Sequence, residues 1–295
     1  MGIEIERGRA GVWVHWMPWT FVFLWSTGFI GAKFGLPYAQ PVTFLLLRFG
    51  FVLALMLPIA LALRARWPAT PAQVAHLSVA GVLLHGGYLA GVFTAIHAGM
   101  SAGLAALIVG LQPVLTAVVA APLLRERVTR RQWLGLALGF GGVAMVVAQR
   151  ATFAGLTAFS ATMILIALLS ITAGTVYQKR FCGAFDLRTG SVIQFVAAGL
   201  ALAPFALLFE HEPVRWTGEL VFAMVWLVLV LSIGAISLLT LLIRRGAATK
   251  VASLFYLVPP FTAVIAYLMF DERLGPLGIA GFALAVLGVA LVVRA

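Results

Sequence analysis

The sequence predicts an all-α integral membrane protein, with ten transmembrane helices arranged as two inverted five-helix repeats. Three observations carry this. The first is composition: of 295 residues, 63% are apolar and only 10% charged, against about 25% charged in a soluble domain. With a mean hydropathy of +1.08, the chain lacks the polar surface that a soluble core of this size would need. The second is the placement of Lys and Arg, which concentrate in alternate connections. The third is an internal repeat at an offset of about 146 residues.

Spans are expected at 17–36, 41–63, 72–95, 99–123, 131–148, 155–178, 187–209, 217–243, 247–270 and 275–293. Each run holds close to the ~20 apolar residues that cross a bilayer as a helix. The runs are continuous and do not alternate, which favours helices over a barrel. Pro37 and Pro41 bracket the first turn, Arg64 to Pro71 part spans two and three, Arg125 to Arg131 part four and five, and Glu210 to Pro213 part seven and eight. With the amino terminus placed inside, 15 Lys and Arg residues fall inside, 4 (Lys33, Arg150, Arg215, Arg273) outside, and Arg48 within a span. Glu210, Glu212, Glu219, Asp271 and Glu272 fall outside. The positive-inside rule therefore places both termini in the cytoplasm. The amino-terminal apolar stretch reads as an uncleaved first helix.

Several classes are excluded. The net charge of +11 is distributed between apolar runs, without a basic patch on a polar scaffold, so nucleic acid is not an expected partner. The single cysteine, Cys182, allows neither an internal disulfide nor a multi-cysteine metal site. There is no P-loop, no metal-ligand cluster and no nucleophile–base spacing. The protein is expected to be no enzyme and to hold no cofactor and no metal.

The repeat divides the chain into 1–150 and 151–295. Gly135 to Val147 lies over Gly281 to Val293 with eight identities in thirteen positions. Glu126 falls on Glu272, Gly28 on Gly174, Lys33 on Lys179 and Phe49 on Phe195; with one residue of slippage, Gly99 falls on Gly246 and Pro113 on Pro260. Five spans per half is an odd number, so the second half enters the membrane from the opposite face. That inverted topology belongs to many secondary transporters, in which two such halves rock about a central site.

The residues Leu24 to Lys33, Phe44 to Phe49, Gln112-Pro113, Leu124 to Arg127, Pro259-Pro260 and Asp271 to Arg273 carry a resemblance over about 17–293. The chain resembles the drug/metabolite transporter superfamily, in its ten-helix EamA-type branch. The resemblance implies two EamA-type five-helix repeats, a bacterial inner-membrane location, and export of small metabolites, amino acids or related compounds foremost, by alternating access. A multidrug exporter of lipophilic compounds on the same fold is the alternative. The second half departs from the first, with Gln194 in place of Arg48 and Leu169 or Ser170 in place of Trp25. The partners expected are a small-molecule substrate and the lipid bilayer, with the chain as a monomer.

The candidate substrate-binding residues are Trp25, Arg48, His85, Tyr88, Gln112, Ser232 and Tyr256. Arg48 lies about 10 Å into span two at 1.5 Å per residue, where a permanent charge faces a cavity or reaches an interface. His85 falls on Ser232 under the repeat, placing two polar groups at matching mid-membrane depth. Trp25, Gly28 and Ala32 share a face of span one, where ordinary close packing is expected ahead of an aromatic pocket. Tyr177 and Gln178, at the end of span six, read as interfacial anchors. Pro113, Pro259 and Pro260 interrupt corresponding spans of the two halves, and with Gly28 are the expected hinge or kink positions. No Asp or Glu falls inside a span, so the carboxylate relay of many proton-coupled pumps is missing. His85, Trp25, Pro113, Tyr256 and Ser232 are expected to approach a common space.

Overall fold

The computed structural model describes residues 16–28, 31, 34–100, 105, 108–148, 157–183, 185–246, 248–258, 260–261, 265 and 275–294. Among these residues every regular element is helical. The elements are α1 (16–28), α2 (Pro41–Ala62), α3 (Pro71–His97), α4 (Gln112–Leu123), α5 (Arg130–Ala148), α6 (Ala158–Phe181), α7 (Leu187–Phe209), α8 (Gly218–Arg245), α9 (Ala248–Ser253, continued by a 3-10 turn over Leu254–Leu257) and α10 (Pro276–Val293). Six of them, α2, α3, α6, α7, α8 and α10, are long and apolar enough to cross a membrane. The division between the repeats, at 150–151, lies outside the described residues.

Local chemistry sets the helix ends. Thr70 caps α3 by accepting a bond from the Gln73 N–H, with Pro71 at the first position. Gly99, at φ 96°, closes α3: the Gly99 N–H donates to Ile96 O and the Met100 N–H to Ala95 O, the pattern that a left-handed residue completes. Asp186 caps α7 from outside the apolar run. Its carboxylate accepts the Arg188 N–H at 2.9 Å and pairs with the Arg188 guanidinium at 3.0 and 2.7 Å. These bonds hold its carboxyl well below the ordinary value of 3.8, at about 2. A depressed folded-state value stabilises the fold above the usual carboxylate range, and that contribution fades only as pH falls toward 2. Asp186→Ala is therefore expected to cost about 1 kcal/mol. The drop in apparent melting temperature in detergent should be equal at about pH 5 and about pH 8.

The packing is two-fold related. α2 lies on α7 and α5 on α10, so each of these helices meets its own repeat equivalent. α3 packs on α6, and α8 meets α1 in the same manner. A Cβ added at Gly174 would sit 2.8 Å from Leu84 Cδ2, and one added at Gly28 would collide with Leu231 Cδ2; the repeat superposes these two contacts. α5 and α10 cross on glycine. A Cβ at Gly135 would come 2.6 Å from Gly288 O, and a Cβ at Gly142 2.5 Å from Gly281 O, again a symmetric pair. With no hydrophobic effect between helices in lipid, such backbone-to-backbone approach is what holds them together. The glycine identities of the repeat, Gly135 with Gly281 and Gly142 with Gly288, thus lie on the seam that joins the halves. Pro58 in α2 and Pro204 in α7 also correspond.

The bundle has a basic end and an acidic end. At the basic end, Lys179 Nζ donates to Arg244 O at 3.3 Å and Gly246 O at 2.6 Å, and Arg180 donates to Leu123 O. Glu126, from the first half, caps α9 of the second, accepting the N–H groups of Ala248 at 2.8 Å and Thr249 at 3.4 Å. At the acidic end, Glu210 of the second half caps α2 of the first, accepting from the N–H groups of Val42 at 2.9 Å and Thr43 at 2.6 Å. Helix amino termini carry unpaired donors and partial positive charge, so both carboxylates bind where the field favours them.

Expected span four, 99–123, is not one helix. Its first residue closes α3 and a turn at 110–111 precedes α4. Pro113 consequently sits in the first turn of α4, where its missing N–H costs nothing. The corresponding place in the second half holds the 3-10 turn Leu254–Leu257. Pro260 follows this turn, while Pro259, Lys33, Asp271, Glu272 and Arg273 lie outside the described residues.

Candidate functional site

A cavity is lined by α1, α2, α3 and α8. Trp25, Arg48, His85 and Tyr88 bring its polar and aromatic groups together; Leu89, Val92, Phe93, Ile96, Leu227 and Leu231 are among its apolar walls. His85 lies midway along the Pro71–His97 helix, whereas Ile96 is one residue from its acidic end. The cavity therefore extends from mid-depth toward the acidic end. The interhelical bonds of the basic end lie beyond its floor.

The backbone around the cavity departs from α-helical geometry at symmetric places. α3 turns π-helical over Val82–Gly87, around His85, and α8 over Leu227–Ala235, around Ser232. Single-turn π segments inside helices are frequent at functional sites, because they redirect side chains. Here they aim His85 and Ser232 at the interior, where each is almost fully buried.

Arg48 is 2% exposed. Its Nε donates to Ser232 Oγ at 2.9 Å, joining the first half to the second. Among the described residues this is its one hydrogen bond, and Asp186–Arg188 is the one ion pair. The two terminal guanidinium nitrogens, which carry four donors, thus have no acceptor on the protein among those residues, and the side chain borders the cavity. Trp25 meets Tyr88 in a stacked arrangement, with ring centroids 6.4 Å apart, and meets Phe255 edge-on at 5.3 Å. His85 stacks on Phe195 at 4.6 Å, and its Nε2 lies 3.4 Å from Gln194 Oε1.

Three candidates stand elsewhere. Gln112 is buried against Thr116 of its own helix, its Nε2 donating to Thr116 Oγ1 at 3.2 Å. Pro113 beside it is likewise absent from the cavity wall. Tyr256 is turned toward α5, where its ring covers Gly139. Gln112 and Tyr256 are drawn away because α4 packs chiefly on α6 and α9, and the 3-10 turn that carries Tyr256 packs on α10 and α5. Gly28 lines the cavity and makes the close approach to Leu231. Gln178, read from the sequence as an interfacial anchor, is instead 1% exposed and bonded to Gln194. Tyr177 beside it does reach the basic end, where its hydroxyl bonds to His76 Nδ1 at 2.8 Å. The apolar wall residues carry no signal in sequence that separates them from other core leucines and valines.

The profile of the EamA-like transporter family matches residues 13–148 and 158–294. An uncharacterized transporter of Bacillus subtilis, YvbV, is 28% identical over 285 residues, covering 92% of this chain and 88% of its own length. A protein of Escherichia coli named a probable amino-acid metabolite efflux pump is 28% identical over 277 residues, 90% of each chain. One of Streptantibioticus cattleyicolor, named a probable terminal-alkyne amino-acid exporter, is 32% identical over 200 residues, 65% of this chain and 64% of its own. A solved crystal structure superposes with TM-score 0.74 at 22% identity, over 93% of this chain and 94% of that one, which establishes likeness of fold.

Proposed function

Because the chain belongs to the EamA-like transporter family, we propose that it is a secondary carrier exporting small solutes with a carboxylate, apolar amino acids foremost. The solute sits in the Arg48 cavity and is exposed to each face in turn by rocking of the two halves. The basic end faces the cytoplasm of a bacterial cell, following the positive-inside rule.

One observation supports the carboxylate most directly. Arg48 carries a permanent charge at mid-depth, borders the cavity, and among the described residues has Ser232 as its one hydrogen-bonding partner. A guanidinium removed from water needs acceptors, and a carboxylate supplies two in the matching fork geometry. The leucine, valine and phenylalanine walls suit an aliphatic or aromatic side chain on the same solute. Relatives named as probable amino-acid metabolite efflux pumps or as a probable amino-acid exporter support the same class.

The test compares L-leucine with L-leucinamide in proteoliposomes of the purified protein. Leucine flux is expected to exceed leucinamide flux at least about tenfold, the worth of one charge-assisted bond. Preference for the amide, or for an organic cation, would put the multidrug alternative in its place.

A further inference from the structure

From His85 in the cavity wall toward the basic end runs a chain of buried side chains. His85 Nε2 lies 3.4 Å from Gln194 Oε1; Gln194 Nε2 donates to Gln178 Oε1 at 2.9 Å; Gln178 Nε2 donates to Thr240 Oγ1 at 3.5 Å; and Thr240 Oγ1 donates to Ile236 O at 2.9 Å. The four side chains come from α3, α7, α6 and α8, two of which contribute to the cavity wall and two of which do not. All four are at most 3% exposed. Gln178 stands three residues before the end of α6, and its neighbour Lys179 already bonds to the carbonyls of the basic-end loop. The chain thus spans the half of the molecule that the cavity leaves closed.

We infer that Gln194 and Gln178 form a second solute station, contacted when the carrier opens at its basic end, and paired with each other when that end is shut. The inference rests on the carrier reading above. Its physical basis is the inverted repeat. Gln194 occupies in α7 the position that Arg48 occupies in α2, and α2 packs on α7 about the two-fold axis. Arg48 serves a cavity open at the acidic end. Inversion of the halves carries that geometry to the opposite end, where Gln194 takes its place. Buried amides in a membrane interior are expensive when unpaired, and the bond between them, with those to His85 and Thr240, satisfies both until a solute replaces a partner. The pairings to His85 and Thr240, at 3.4 and 3.5 Å, are at the long end of hydrogen-bond range and are easily exchanged. A glutamine offers one donor group and one acceptor, so it can bind either the carboxylate or the ammonium of a zwitterion. A neutral station at the basic end holds a carboxylate less tightly than the charged one at the acidic end.

The test uses Cys182→Ala as background, because Cys182 is the chain's one thiol. Gln178→Cys and Gln194→Cys are made in it separately and reconstituted in vesicles of known insertion. A membrane-impermeant methanethiosulfonate is applied to one face at a time. Reaction is expected from the basic-end face alone, slowed at least about fivefold by L-leucine, a modest coupling between sites. Absence of reaction from both faces, in protein that still exchanges leucine, overturns the inference, as does reaction from the acidic-end face. Should neither cysteine protein assemble, Gln178→Ala and Gln194→Ala decide it by kinetics. The half-saturation concentration for leucine at the basic end should then rise about fivefold, with less than about twofold change at the acidic end. Equal changes at both faces overturn it. The two readings fail separately: if L-leucinamide protects the thiols as well as leucine does, the station stands and the carboxylate preference falls.

Discussion

Arg48→Gln is expected to lower leucine flux by about ten- to a hundredfold, while leucinamide flux changes less than about threefold. The size follows from hydrogen bonds to a charged group, worth about 1.5–3 kcal/mol each. Glutamine is the residue found at the equivalent place in α7, so the substitution removes the charge with a side chain that the fold already accommodates there. Arg48→Lys separates charge from geometry. Lysine retains the cation and loses the planar fork, so its leucine flux should lie between wild type and Arg48→Gln. Both variants should elute in gel filtration as wild type does, since among the described residues the one bond they lose is to Ser232. Loss of leucine and leucinamide flux in equal proportion, in assembled protein, would show that Arg48 holds α2 to α8 and does not select the solute. The measurement is initial uptake into proteoliposomes at matched protein content.

Gly142→Ala should reduce the yield of assembled protein sharply, and Gly142→Leu should abolish it. A Cβ at position 142 would press into the backbone of α10, 2.5 Å from Gly281 O and within collision distance of Ala285 N. Backbone cannot rotate away as a side chain can, so the helices must separate. Overpacking of this kind costs about 1–3 kcal/mol where side chains yield, and more where they do not. Gly288 faces the same seam from the other side, with its missing Cβ directed at the backbone of Gly135 and Gly139, and its alanine variant should behave alike. Gly199→Ala is the control: nothing lies within 4 Å of its added Cβ. Fluorescence-detected gel filtration of the three alanine variants and Gly142→Leu distinguishes the seam from a general intolerance of alanine. Equal monodispersity for Gly142→Leu and wild type would mean that α5 and α10 do not carry the joint between the halves.

Much of this architecture was readable in one dimension, for identifiable reasons. A bilayer demands long apolar runs and internally satisfied backbone, so composition alone announces the helices. Lys and Arg settle on one side, so their positions mark alternate connections. The match of Gly135–Val147 with Gly281–Val293 was visible because both strips serve one self-complementary contact, which constrains each in the same way. Arg48 and His85 stood out because charge and imidazole are rare in such runs, and both line the cavity. Gln112 and Tyr256 stood out by the same reasoning and do not. Polarity in a span signals that a side chain has a task, and does not tell which neighbour it faces.

The sequence by itself determined a ten-helix membrane protein in two related halves, and the residue types from which its interior chemistry is made. Only the tertiary structure decided which of them meet. The π-helical stretches Val82–Gly87 and Leu227–Ala235 rotate whole faces of α3 and α8, an adjustment that hydropathy does not encode. The bonds from Arg48 to Ser232 and from Gln194 to Gln178 join residues 184 and 16 positions apart, brought within 3 Å by the crossing of helices. Crossing angles depend on shape complementarity between small residues, summed over many weak contacts. Such a sum has no local signature in the chain, which is why the cavity and the amide pair beneath it appear only once the helices are packed.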